Sequence, residues 1–197
     1  MLLTGLLPDI STDPAIETAT DSIEAGRSGT IVAPVGIRPP LLAAAASRAA
    51  RPLVVLTATG RDAETLTNAL ASWIPGVAML PAWETLPHER LSPQVDTMAR
   101  RIAVLRRLVH PIAGDDSAGP LSILVVPIRA FLQPIIAGLA DLEPVRVRTG
   151  DVLDLTETTN RLTELGYERV DMVEGRGQIS VRGGILDVFP PQEPHPL

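Results

Sequence analysis

Lysine is missing from this 197-residue sequence, in which all 17 basic residues are arginine. Its absence removes chemistry built on a lysine amine: Schiff bases, a lysine nucleophile and the phosphate-gripping lysine of a P-loop. Cysteine is missing too, which excludes a disulfide framework, a zinc ribbon and thiol catalysis, and suits a cytoplasmic location. Aromatic residues are only 3%: Trp73, Trp83, Phe131, Tyr167 and Phe189. No apolar run approaches the ~20 residues of a membrane span. The apolar start at residues 1–7 is short, lacks a basic flank and meets Pro8-Asp9, unlike a secretory signal. A net charge of −6 argues against a strong generic grip on DNA, which needs phosphate-neutralising side chains.

What is present reads as an ordinary globular chain, 45% hydrophobic and 20% charged. Its 19 prolines are about twice the usual ~5% share. Ser11-Thr12-Asp13-Pro14 opens a helix expected to reach about residue 25. Strands are expected at 30–33, 52–57, 77–80 and 121–126. Helices are expected at 41–50, 61–73 and 95–109, the last with Val95, Met98, Ile102, Leu105 and Val109 at helical spacing. Arg100, Arg101, Arg106 and Arg107 fall on its other faces, as in a charge-laced amphipathic helix. Runs apolar on both faces and alternating with helices imply an α/β layer domain over 1–140 with a mostly parallel, covered sheet. Residues 141–197 read as a small α+β second lobe: a half-exposed strand at 144–148, a helix at 156–165 and glycine-turned hairpins at 174–189.

The turn after the first expected strand occupies the position of a phosphate loop. Its residues do not suit that role. Two residues after Gly36 stands Arg38, where glycine would let backbone N–H groups approach phosphate. Pro39 and Pro40 stand where a lysine and a magnesium-binding hydroxyl are needed, and proline donates no N–H. Arg38 reads either as a site for a stray anion or as a surface arginine. Other chemistry is thin. His88, His110 and His195 are scattered without metal-ligand spacing. Asp115-Asp116 lacks further oxygen ligands at calcium-loop offsets. No Gly-x-Ser-x-Gly elbow occurs. No catalytic residue, metal or cofactor is expected.

The stretch from Arg176 to Phe189 carries more information. With Gly183-Gly184 as a two-residue turn, Arg182 faces Ile185, Val181 faces Leu186, Ser180 faces Asp187 and Ile179 faces Val188. Alternation puts Ile179, Val181, Leu186 and Val188 on one apolar face. Gln178, Ser180, Arg182, Ile185, Asp187 and Phe189 share the other. An aromatic among arginines on a polar face is the pattern of a protein-binding hot spot, with Arg169 and Arg176 able to join it. Equally, Phe189 packs under a loop and the arginines pair with Glu168, Asp171 and Glu174.

Pro81-Ala82-Trp83-Glu84-Thr85-Leu86-Pro87-His88-Glu89-Arg90-Leu91-Ser92-Pro93 resembles the hallmark loop of the bacterial transcription-repair coupling factors, the Mfd family. Leu165-Gly166-Tyr167-Glu168-Arg169-Val170-Asp171 and Arg182-Gly183-Gly184-Ile185-Leu186-Asp187-Val188-Phe189-Pro190 resemble the same family. The match is to its N-terminal part, itself similar to the excision-repair protein UvrB. The resemblance implies a degenerate version of UvrB's P-loop NTPase-like first domain. Its dead loop falls at Gly36, Arg38, Pro39 and Pro40. A second lobe that binds UvrA is implied through Arg169, Arg176, Arg182 and Phe189. The function so implied is a non-catalytic adaptor recruiting UvrA in transcription-coupled nucleotide excision repair. It would be masked by the C-terminal domain of a full protein that is an ATP-dependent DNA translocase. RNA polymerase and DNA would be met only through domains outside these residues. The alternative is a P-loop relative that weakly binds nucleotide or DNA. The family continues into a further strand of the second lobe, so a fragment with an open sheet edge is expected.

Overall fold

A computed structural model of the chain describes residues 2–85, 93–115, 117–191, 193 and 195–197. The chain divides into two compact units, Met1–Ala82 with Ala103–Ala140, and Trp83–Ile102 with Asp141–Leu197. The fold is mixed α/β, with one three-stranded sheet in each unit.

In the first unit, β1 (Leu53–Thr57) and β2 (Val77–Met79) both pair in parallel with a central β3 (Ile123–Pro127). All five residues of β3 are buried, as a strand covered on both faces requires. Its alternation separates two cores. Ile123 and Val125 pack with Ala43, Ala46, Ala63, Leu70 and Ile74, while Leu124 and Val126 pack with Ala78, Leu80, Val104 and Leu105. Ala43 and Ala46 lie on α3 (Arg38–Arg48), Ala63 and Leu70 on α4 (Gly60–Leu70), and Val104 and Leu105 on α5 (Val95–Val109). Two further helices lie ahead of α3: a short α1 (Leu7–Ser11), which the sequence reading did not anticipate, and α2 (Pro14–Glu24). The Asp13 carboxylate caps α2 by accepting from Ala15 N and Ile16 N, with Pro14 at the first helical position. A short α6 (Ile128–Leu132) follows β3 directly.

Two strand expectations fail. Residues 30–33 form no strand, and Val32 is 96% exposed. Only four residues lie between Gly29 and Pro34, and among the described residues no strand offers them a ladder. A strand gains its stability from cross-strand pairs, not from propensity. Residues 144–148 are likewise irregular, with Val145 alone half-buried. The expected helix at 61–73 ends at Leu70, and Trp73 lies beyond it, still packed against the first core.

The second unit holds α7 (Leu155–Glu164) and a sheet in the order β4 (Glu168–Arg169), β5 (Gln178–Arg182), β6 (Ile185–Val188). Asp154 caps α7 through Thr156 N and Glu157 N. A Schellman turn ends it: Gly166 N donates to Thr163 O and Tyr167 N to Leu162 O, with Gly166 at φ 92°. The helix packs on β5, burying Leu162, while Ile179 of β5 is fully buried. Beside β6, Val188 and Leu197 exchange two backbone hydrogen bonds of 3.0 and 2.7 Å. The sheet edge expected to be open is therefore occupied at Val188.

Candidate partner-binding hairpin

The pairing of β5 with β6 follows the register that alternation requires: Ile179 with Val188, Ser180 with Asp187, Val181 with Leu186 and Arg182 with Ile185. Gly183 takes φ 59° in the two-residue turn, a conformation that favours glycine. At the other end Gly177 N donates to Phe189 O, while Phe189 N donates to Gln178 O. Two residues thus oppose one, and Gly177 has φ 79°. This is a glycine bulge, which bends and twists the strand. The flanking segment Arg176-Gly177-Gln178 carried that signal in its glycine, but a hairpin read by alternation alone passes over it.

The face shared by Gln178, Ser180, Arg182, Ile185 and Asp187 is not uniformly open. Ser180 is 1% exposed, and its hydroxyl donates to Asp171 O at 2.9 Å. The Gln178 side-chain oxygen accepts from Glu174 N and Gly175 N. Residues 171–175 thereby strap the proximal half of the face. The distal half, toward the turn, remains in solvent. There the Arg182 guanidinium lies 2.8 Å from the Asp187 carboxylate, and Ile185 is 63% exposed.

The four residues singled out by sequence fall in different places. Arg182 is exposed on the open half. Phe189 follows Asp187 by alternation but is only half-exposed at the bulge. Arg176 is bound within the chain: its Nε donates to Glu193 O at 3.2 Å and its Nη1 lies 3.7 Å from Asp96. Arg169 is in register with Ile179, so it projects to the opposite face from Arg182. The structure does not unite the four on one surface.

The residues 83–102 segment of this unit holds a cluster the sequence reading did not resolve. Arg101, expected on a solvated face of α5, is fully buried with its guanidinium 4.4 Å from the centre of the Trp83 ring. An aromatic face substitutes for some of the solvation the guanidinium loses, and burial pushes its pKa below the ordinary value. Thr97 donates to the Glu84 carboxylate, and Asp96 also pairs with Arg100 at 3.0 Å. Residues 86–92, including His88, lie outside the described residues. Among the described residues no group of three His, Asp or Glu side chains is placed to hold a metal ion. No helix among them is long and apolar enough to cross a membrane.

Where a phosphate loop was expected no strand precedes the turn, and residues Val35–Ile37 form a single 3₁₀ turn leading into α3. Gly36 and Arg38 are exposed, Pro39 is half-buried and Pro40 is buried. Two of the first three residues of α3 are proline, so the helix start presents few N–H donors.

Residues 145–197, which contain α7 and the whole β4–β6 sheet, match the family model described as "UvrB interaction domain". The transcription-repair-coupling factor of Mycobacterium bovis is 47% identical over 171 residues, covering 85% of this chain and 14% of that protein. The chain belongs to the UvrB-like N-terminal region of the transcription-repair coupling factors. The Escherichia coli coupling factor is 28% identical over 76% of this chain and 12% of its own length. UvrABC system protein B of Vibrio vulnificus is 27% identical over 96% of this chain and 29% of its own length. The chain thus spans about a seventh of the coupling factors it matches. The β5–β6 hairpin lies within the segment that matches the interaction-domain model.

Proposed function

We propose that this chain is a non-catalytic adaptor module that docks onto UvrA through the β5–β6 hairpin and so links nucleotide excision repair to stalled transcription. The observation that carries the reading is the hairpin itself. It lies in the segment matching a UvrB interaction domain, and its turn-proximal half offers Arg182 to solvent beside Asp187. Charge-assisted bonds from such an arginine to partner carboxylates are among the stronger interface contacts. Phe189 and Arg176 support the surface from the bulge end, and Arg169 borders the opposite face. The proline-filled start of α3 supports a nucleotide site that has lost its function, leaving binding as the role of the first unit's neighbour. In the full protein, the C-terminal domain covers the hairpin until UvrA recruitment is required.

The decisive experiment is a pull-down of purified UvrA on the immobilised chain, repeated with the C-terminal domain added in trans. Retention of UvrA that the added domain abolishes is the expected result. Absence of retention at micromolar concentrations would overturn the adaptor reading.

A further inference from the structure

Ile185 is a β-branched apolar residue standing 63% exposed on the hairpin, directly across from Arg182. The adjoining turn is open as well: a Cβ built at either turn glycine, Gly183 or Gly184, meets no atom within 4 Å among the described residues. A second exposed apolar residue lies on the strap that crosses this face. Met172, 60% exposed, follows Asp171, whose carbonyl is held against this face by Ser180. The Arg182–Asp187 ion pair lies between the strapped half of the face and the turn. Exposed apolar residues beside a charged pair form a surface whose apolar part can be desolvated while its arginine re-pairs with a partner carboxylate.

We infer that Ile185 is the apolar anchor of the UvrA-docking surface, filling a pocket on UvrA that is flanked by a carboxylate, with Met172 packing at its margin. The inference rests on the adaptor reading above and assigns the anchoring role to Ile185 in place of Phe189. Phe189 is half-buried at the Gly177 bulge and has less surface to give a partner. The charge complement follows from Arg182. A carboxylate on the partner draws the guanidinium from Asp187 without stranding it, because Asp187 retains access to solvent.

The test is calorimetric titration of UvrA into the 197-residue chain, comparing wild type with Ile185→Thr, Met172→Gln and Val152→Thr. Threonine keeps the β-branched shape that strands favour. Val152, fully exposed and outside the sheet, is the control. The expected result is a Kd raised about tenfold or more for Ile185→Thr. Met172→Gln should raise it about threefold, with Val152→Thr unchanged. A methyl-labelled wild-type chain should show selective broadening of the Ile185 resonance on adding UvrA, a readout independent of any variant's folding. Wild-type binding that Ile185→Thr leaves within about twofold, with an unperturbed Ile185 methyl, overturns the anchor and leaves the adaptor reading standing. Failure of wild type itself to bind overturns both.

Discussion

Arg182 and Asp187 face each other diagonally across the β5–β6 hairpin, Nη2 to Oδ2 at 2.8 Å, on the side of the sheet away from Ile179. Arg182 is exposed and Asp187 half-buried, so solvent screens the pair and it contributes at most ~1 kcal/mol to folding. Its arginine is nevertheless oriented before any partner arrives. Arg182→Ala should therefore leave the denaturation midpoint nearly unchanged and weaken UvrA binding by about 1–3 kcal/mol, the range for hot-spot truncation. Asp187→Asn should bind at least as tightly as wild type, because it releases the guanidinium from an internal competitor. Weaker binding by Asp187→Asn in calorimetry would instead place Asp187 in contact with the partner.

The two glycines that shape the hairpin should respond differently to substitution. Gly177 has φ 79°, and a Cβ there would lie 2.7 Å from Val95 Cγ1 at the start of α5. Gly177→Ala combines a strained backbone with a steric conflict and should cost about 1–3 kcal/mol in urea denaturation. Gly183 has φ 59° with open space around it, and asparagine tolerates that conformation in two-residue turns. Gly183→Asn should change stability by less than ~0.5 kcal/mol. Equal effects at the two positions would contradict the bulge.

Local signals were legible where one physical constraint dominated. The Asp13-Pro14 cap, the unbroken apolar run of β3 and the Gly183-Gly184 register each follow from a single rule of capping, burial or alternation. Long-range consequences were not. Residues 30–33 have strand composition, but no strand among the described residues pairs with them. The burial of Arg101 depends on Trp83, a residue 18 positions away that the sequence reading assigned to a loop. Arg169, on the strand preceding the hairpin, joins Arg182 by proximity in sequence and by the family resemblance. Only the parallel pairing of β4 with β5, invisible to local alternation, puts them on opposite faces.

Tyr167 is the only tyrosine in the chain, which makes its titration directly observable. Burial holds its hydroxyl above the ordinary phenol pKa of ~10. A group whose acidic form is favoured by folding contributes no pH-dependent change below the unfolded pKa. Above it, the unfolded chain loses the proton first and stability falls as pH rises. Ultraviolet difference titration should show the native midpoint above that seen in denaturant, and Tyr167→Phe should flatten the alkaline decline in stability. Coincident midpoints in native and denatured chain would mean that the hydroxyl is solvated.

Nucleotide binding should be absent for a reason that can be dissected. A phosphate cradle needs convergent backbone N–H donors at a helix start together with a lysine and a hydroxyl. At the start of α3, Pro39 and Pro40 remove two donors, and no lysine exists anywhere in the chain. Titration with a fluorescent ATP analogue and magnesium should show no saturable binding. Pro39→Ala/Pro40→Ala restores the two N–H groups but neither the lysine nor the hydroxyl, so it too should fail to bind. Saturable, magnesium-dependent binding by wild type would refute the proline argument. Binding gained only by the double variant would show instead that the missing donors alone silence the loop.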